Sequence, residues 1–550
     1  MMQGKIVLLL LSFFISSVKC SNFKLKIIHF NDLHARYDEV TNRSMPCAAG
    51  SKECIAGVAR LVTTIEKLKK ENTNHLVLNA GDAFQGTVWY SLLKWNVTQR
   101  FMNIIKADAM VLGNHEFDDS IEGLIPFLNA TKDVTPVVVS NLIIPKKNTT
   151  EFNALRSLVR HDPIKLKVGG ETIGIIGVIY DETDKITNTG SIKFKNYISS
   201  VRKQATELKM DGVNKIIVLS HCGIFEDKKI AEQAGQDIDI IVGGHSHSLL
   251  YNGVAPSKHA VFDKYPMVID NGMGNKVLIV QAFCHGKYVG NIDLTFDASG
   301  KIVSYEGQPI YQGNSIEKNT TVETVVQDVK KEVESKSSVR VGETEIELNN
   351  DCRVKECSLG SVLANAYIWH YRNARSSPTI AMIHPGNFRT ILTRGGITRG
   401  ELLTAIPFSS TANRISVSGS TIKKAIEYGV TLSRRCTFNT PQISGIKVSV
   451  DFAKDAGNRT KVDVKQGDAY VELDETKTYD VVVNSYMIKG GDGFDMFKNA
   501  TVKGWGPTDA ETFEQYINGT GIIKATTLRE PRIEVLHEEQ ALKDTNKCTN

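Results

Sequence analysis

Four short blocks decide how this chain reads: HFNDLH at 29–34, NAGDAFQG at 79–86, GNHEFD at 113–118 and GGHSH at 243–247. Each closes an apolar run, in turn KLKIIHF, HLVLNAG, AMVLG and IDIIVGG. Runs this short and this rich in Val, Ile and Leu predict buried strands, with TPVVVSNL and KIIVLSH as two more. Helical spacing is predicted between them over Ala56–Glu71, Ser120–Ala130, Val201–Met210 and Glu226–Ala234. Alternation of strand and helix predicts an α/β core of layered sheets with helices on the outside. The polar residues of every block follow the end of a strand, where open α/β sheets place ligands.

What those strand ends carry is a donor set. Two divalent metals about 3.5–4 Å apart need a bridging carboxylate and a shell of imidazole, carboxylate and amide oxygen. The chain supplies Asp32 and His34 as D-x-H, Asp82 as G-D, Asn114 to Glu116 as N-H-E, then His221, and His245 with His247. Gly81, Gly113, Gly243 and Gly244 permit turns tight enough to aim short side chains at one point. A lone D-x-H pair is usually a capped turn or a surface histidine. Five pieces in this order, each ending an apolar strand, are not explained that way.

Block by block, the chain resembles the calcineurin-like metallophosphatases and, within them, the 5'-nucleotidase/apyrase family, most of all the secreted salivary apyrases of blood-feeding arthropods. The resemblance runs to about residue 500. It implies an N-terminal four-layer metallophosphatase-type β-sandwich flanked by helices and a C-terminal α/β substrate-binding domain. It also implies two divalent metal ions, zinc being usual and other divalent ions admitted. Asp32, His34, Asp82 and His247 would hold one; Asp82, Asn114, His221 and His245 the other. His247 stands where relatives often carry Gln or Asn, so the donor set of the first metal differs. His115 and Asp118 would form a catalytic pair, an imidazole held by a carboxylate facing the phosphoryl oxygens.

In the second half the matching stretches are CRVKEC (352–357), HPGNFR (384–389), IPFSS (406–410) and NSYMIKGGDGF (484–494). The resemblance assigns Arg353 and Arg389 to substrate anions, whose oxygens suit a planar guanidinium fork. It assigns Phe408 and Tyr486 to an aromatic sandwich around the base, and Asp492 to the ribose hydroxyls. His384 replaces the family's usual Asn at the base, and Asn387 is the candidate substitute amide. GGDGF lacks the Lys-Ser/Thr ending of a phosphate-binding P-loop.

Length and ends fill in the organisation. At 550 residues the chain exceeds one ordinary core. Residues 1–20 read as a signal peptide: Lys5 starts it, Ile6 to Val18 is apolar, and Val18 and Cys20 suit the cleavage site. The metallophosphatase domain is expected over 21–315, a linker helix over 316–337, the substrate-binding domain over 338–535 and a polar tail over 536–550. The charged stretch read as a linker reads equally as a surface helix of either domain. No apolar tail suited to a lipid anchor follows Arg532, so a secreted, unanchored protein is expected. Losing Lys5 and Lys19 with the signal lowers the net charge from +5 to +3, too small a bias for nucleic acid polymers. Sequons at Asn42, Asn96, Asn129, Asn148, Asn319, Asn458, Asn499 and Asn518 suit a glycosylated secreted chain. Cys47 with Cys54 and Cys352 with Cys357 are spaced to close small disulfide loops. Cys222, Cys284, Cys436 and Cys548 have no evident pairing; Cys222 with Cys284 is one option, and a buried unpaired Cys222 the other.

The resemblance to secreted, unanchored members of the family implies a hydrolase removing terminal phosphates from extracellular ATP and ADP, in the manner of an apyrase that blocks platelet aggregation. The alternative within the family is a 5'-nucleotidase converting AMP to adenosine. A non-catalytic binder of nucleotides or of a receptor is the reading from another class, and the intact set of ligands and His115 speaks against it.

Overall fold

The computed structural model describes residues 22–47, 51, 53–257, 259–272, 274–374, 378–408, 410–432, 437–528, 531–541 and 543. The signal-peptide segment, Cys436, Cys548 and most of the polar tail lie outside the described residues.

The apolar run after Phe23 forms the strand Phe23–Phe30, buried from Leu25 onward. It runs parallel to His75–Asn79, with Ile28 opposite Val77, and antiparallel to Tyr288–Phe296. The sheet continues through Ala109–Met110, Val137–Val138 and Val159–Arg160 on one side and Ile302–Gly307 on the other. A second sheet orders Met267–Asp270, Lys276–Val280, Ile240–Gly243, Ile216–His221, Glu171–Ile179 and Ile164–Val168. The two sheets close on one another where the Ser140 amide donates to the Gly177 carbonyl at 2.7 Å. A Cβ on Gly177 would stand 2.0 Å from the Val138 carbonyl, so only glycine allows this approach.

Helices cover both outer faces. Val58–Glu71 packs on the first sheet and Tyr197–Met210 and Ile224–Ala234 on the second, which gives the four-layer order expected. Helix starts differ from the sequence reading for local reasons. Asn196 caps Ser199 N at 3.0 Å, so its helix begins at Tyr197 rather than Val201. Gly57, at φ 83°, starts the first helix at Val58 rather than Ala56.

The helix Thr320–Ser337 buries Val322, Val326, Val329 and Val333 in the N-terminal core and touches the helix Arg399–Ala405 of the second domain. That second domain holds a five-stranded sheet, Gln442–Ser444, Ile380–Ile383, Thr478–Asn484, Ala412–Ser418 and Thr501–Gly504. A four-stranded sheet of Ala469–Glu472, Thr460–Gln466, Ile446–Asp451 and Ile533–Leu536 accompanies it. Cys47 is bonded to Cys54 and Cys352 to Cys357, while Cys222 and Cys284 are free and buried, so no bond joins those two. Among the described residues no helix is long and apolar enough to cross a membrane.

Candidate active site

The loops that leave the parallel strands turn sharply, and the sharpness is measurable. Asp32, His34, Asp82, His245 and His247 have φ of 51°, 48°, 55°, 72° and 51°, the left-handed region that L side chains rarely enter. Strain of this kind costs on the order of 1–3 kcal/mol per residue and persists only where the surroundings over-determine it. Here the loops are tied to each other: Asp32 N donates to Gly81 O at 2.9 Å, His34 N to Asp82 O at 3.0 Å and Ala35 N to Ala83 O at 3.0 Å. A Cβ on Gly113 would lie 2.1 Å from Asp82 Oδ1, so the third loop must be glycine to pass that close.

These turns bring the candidate ligands together. Asp32, His34 and His247 offer donor atoms within 4.8 Å of one another; so do His34, Asp82 and His115, and Asp82, His221 and His245. Asp82 belongs to two of the sets, as a bridging carboxylate must. His247 Nε2 stands 3.2 Å from Asp32 Oδ1, and His221 Nε2 stands 3.1 Å from Asp82 Oδ2. Asn114 precedes His115, whose amide donates to Asp82 Oδ1 at 3.0 Å, and its own buried Oδ1 has no hydrogen-bond partner.

Several observations fit this set to cations. His34 Nε2 and His247 Nε2 face each other at 3.0 Å, an arrangement of two imidazole nitrogens that a shared cation satisfies. The opposite ring nitrogens are occupied: His34 Nδ1 lies 3.2 Å from Phe84 O and His221 Nδ1 2.6 Å from Ala80 O, which orients Nε2 inward as metal-binding histidines require. Burial pushes His34 and His245 down to about 3, keeping both imidazoles neutral. Burial also opposes charge on His221, but Asp82 and then Asp32 raise it to about 9. The carboxylates therefore demand positive charge at the point where the ligands converge.

Glu116 organises the cluster from beneath. Its fully buried carboxylate accepts from the amides of Asp82 (3.0 Å), Ala83 (2.7 Å), Phe84 (3.1 Å) and Gly113 (2.6 Å), joining two loops. Sequence reasoning quoted this residue without giving it a task. Standing among candidate ligands of the same residue types, it carried no signal of a purely structural carboxylate.

His115 and Asp118 lie at the edge facing the second domain. His115 Nδ1 is 2.5 Å from Asp118 Oδ2, and Thr187 Oγ1 donates to Asp118 Oδ1 at 2.6 Å. Burial works against charge on His115, yet Asp118 and Asp82 raise its pKa above the ordinary imidazole value. The cleft they line is closed from the second domain by Thr411, Ser485, Lys489 and Trp505. Lys489 was missed in the sequence, although it sits inside the block quoted for Tyr486 and Asp492.

The second cluster is in the C-terminal domain. His384 is buried at its centre, its ring 5.2 Å from that of Tyr486 and its Nε2 3.4 Å from Asp492 Oδ2. Its Nδ1 accepts from Gly386 N at 3.1 Å, so the neutral ring carries its proton on Nε2, which has no hydrogen-bond partner. Burial, helped by Arg353 and Arg389, pushes His384 down to about 4. Arg389 lies over the Phe408 ring at 4.8 Å, and Arg353 donates to Asn439 Oδ1 at 2.5 Å. Phe408 and Tyr486 are each 40% exposed, which leaves ring faces free to stack on a ligand. Asn387 does not join this group: it is buried, and its amide donates to Asp509 Oδ2 at 2.7 Å, in a site Asp509 shares with Tyr367.

Comparison with known proteins agrees with both halves. Residues 25–249 match the calcineurin-like phosphoesterase family and residues 340–499 the 5'-nucleotidase C-terminal domain. The chain is 42% identical over 522 residues to an apyrase of Anopheles gambiae, covering 93% of this chain and 90% of that one. It is 33% identical over 527 residues to a 5'-nucleotidase of Rattus norvegicus, covering 91% and 89%. Among solved structures, a 5'-nucleotidase precursor from Thermus thermophilus matches with a TM-score of 0.63 at 33% identity, covering 94% of this chain and 100% of that one.

Proposed function

This chain belongs to the 5'-nucleotidase/apyrase family of calcineurin-like metallophosphatases and is a nucleotide phosphohydrolase; within that frame we propose that it is a secreted apyrase removing the terminal phosphates of ATP and ADP. The observation that carries the reading is the sharing of Asp82 between two donor sets beside His115, across a cleft from a cluster of arginines and half-exposed aromatics. The preference for di- and triphosphates draws on Lys489, whose charge faces that cleft, and on the apyrases among the relatives. Two formed disulfides and exposed sequon residues Asn129, Asn148, Asn458, Asn499 and Asn518 support secretion. In a blood-feeding arthropod, removal of ADP would prevent platelet aggregation.

In this reading Asp32, His34, Asp82 and His247 hold one divalent cation, and Asp82, Asn114, His221 and His245 the other, with zinc the expected metal. Bound there, the cations supply Lewis acidity toward phosphoryl oxygens and an acidified water. The Asp118 carboxylate keeps a proton on His115 Nδ1 and favours the imidazolium, whose Nε2–H donates to the phosphoryl oxygens as charge builds on them. Phe408 and Tyr486 stack the base, Asp492 accepts from the ribose hydroxyls, and Arg353 and Arg389 hold anionic oxygens. His384, edge to face with Tyr486 and with its Nε2 3.4 Å from Asp492 Oδ2, positions the stacking ring and the ribose acceptor from beneath.

Phosphate release from ATP, ADP and AMP under added divalent ions tests the choice. Release from ATP and ADP, stopping at AMP, is expected. Release from AMP alone would replace this reading with the 5'-nucleotidase one, which the relative in Rattus norvegicus favours.

A further inference from the structure

Among the described residues one further gathering of metal-ligating side chains lies beside the site: His247, Cys284 and His285, whose donor atoms fall within 4.8 Å of one another. The ordinary surroundings of a buried thiol are apolar, and Cys222 meets that rule inside the N-terminal core. Cys284 does not. It is only 4% exposed and unbonded, yet it joins no apolar cluster of the described residues. Its sulfur lies within 4.8 Å of a ring nitrogen of His247 and of one of His285.

The loop that carries it is fixed in place. Asn31 Nδ2 donates to Phe283 O at 2.6 Å, Asn31 Oδ1 accepts from Ala282 N at 3.0 Å, and His285 N donates to Asp32 O at 2.7 Å. Ser44 Oγ engages His285 Nδ1 at 2.7 Å, leaving Nε2 as the donor atom. The rings of His247 and His285 stand 5.6 Å apart, edge to face.

A thiolate with two imidazoles is a borderline-to-soft donor set, suited to zinc, cadmium or monovalent copper and poorly suited to magnesium, calcium or manganese. The geometry points to a third cation site, formed by Cys284, His285 and His247 and selective for a soft metal, that shares His247 with the candidate dimetal centre. Binding there releases the Cys284 proton to solvent. Because His247 also stands against Asp32, a cation held by Cys284 and His285 competes for it, and excess soft metal slows hydrolysis. The site does not depend on which nucleotide is the substrate.

Cadmium is the probe. The full chain, loaded with zinc, is titrated with cadmium while the sulfur-to-cadmium charge-transfer absorption is followed in the ultraviolet. None of the candidate dimetal ligands contains sulfur, so the band reports thiolate binding outside that centre without turnover, and the cysteine variants assign it to Cys284. One equivalent should raise the band in the wild type and in Cys222→Ala, and Cys284→Ala should abolish it. His285→Ala should weaken the affinity by at least about tenfold, the lower bound seen on losing even an outer partner of a metal ligand. ADP hydrolysis should slow with the same equivalent in the wild type and be spared in Cys284→Ala. Cys284→Ser, close in size, repeats the test should the alanine variant not fold. No band in the wild type, or a band undiminished in Cys284→Ala, overturns the site; equal inhibition of both proteins overturns the coupling through His247.

Discussion

The two halves of the cleft solve different problems by different means. In the N-terminal half, five of the candidate ligands sit on left-handed backbone at strand ends, in loops tied to one another by amide hydrogen bonds. In the C-terminal half, large side chains reach from separate loops, two of them 40% exposed, around a buried histidine. A cation demands several donors at fixed short range, so its ligands must be held by the backbone itself. A base and ribose offer broad faces, and aromatics or guanidinium groups on ordinary loops can meet them. The first half should therefore fail abruptly when altered and the second gradually.

The largest expected effect is beside the shared carboxylate. His115→Ala should reduce kcat by about a hundred- to a thousandfold, by analogy with loss of a single transition-state donor, while nucleotide binding measured by calorimetry is largely kept. Loss of binding in parallel with turnover would mean that the two halves are not separable as described. Next comes Glu116→Gln, which keeps size but removes the charge holding four amides. It should lower metal affinity about 10- to 100-fold, as outer partners of metal ligands do, read as a rise in the divalent ion concentration needed for half activity.

Substitutions in the second half should act on KM. Tyr486→Ala or Phe408→Ala should raise it about 5- to 150-fold, the equivalent of about 1–3 kcal/mol of base stacking, with kcat changed far less. The smallest effect is His384→Asn, which should alter the ratio of kcat/KM between purine and pyrimidine nucleotides by about tenfold or less, the worth of one edge-to-face ring contact. An unchanged ratio would remove His384 from the positioning of the stacking ring.

The same contrast explains what could be read from the sequence. Candidate metal ligands on tight turns need glycine beside them and apolar strands before them, so Asp32, Asp82, Asn114 and His245 stand out in contiguous blocks. The layered α/β architecture followed from the same strands. Glu116 did not announce its task, because three of the four amides it binds come from a loop more than thirty residues away in sequence. Lys489 meets the cleft only through the packing of two domains, and Thr187 through a loop of the first domain that returns to Asp118; no local pattern encodes either. Asn387 has the amide expected at a base, but a buried carboxylate on another helix, Asp509, draws that amide inward. Helix starts shifted by two to four residues where Gly57 and Asn196 set the boundary.

Phosphate release from ADP, followed through exhaustive chelation and then re-addition of divalent ions, tests the central claim most directly. If the seven candidate ligands gathered around Asp82 hold metal as proposed, activity should fall to background and return with the metal. Turnover that survives in protein stripped of measurable metal would contradict the account.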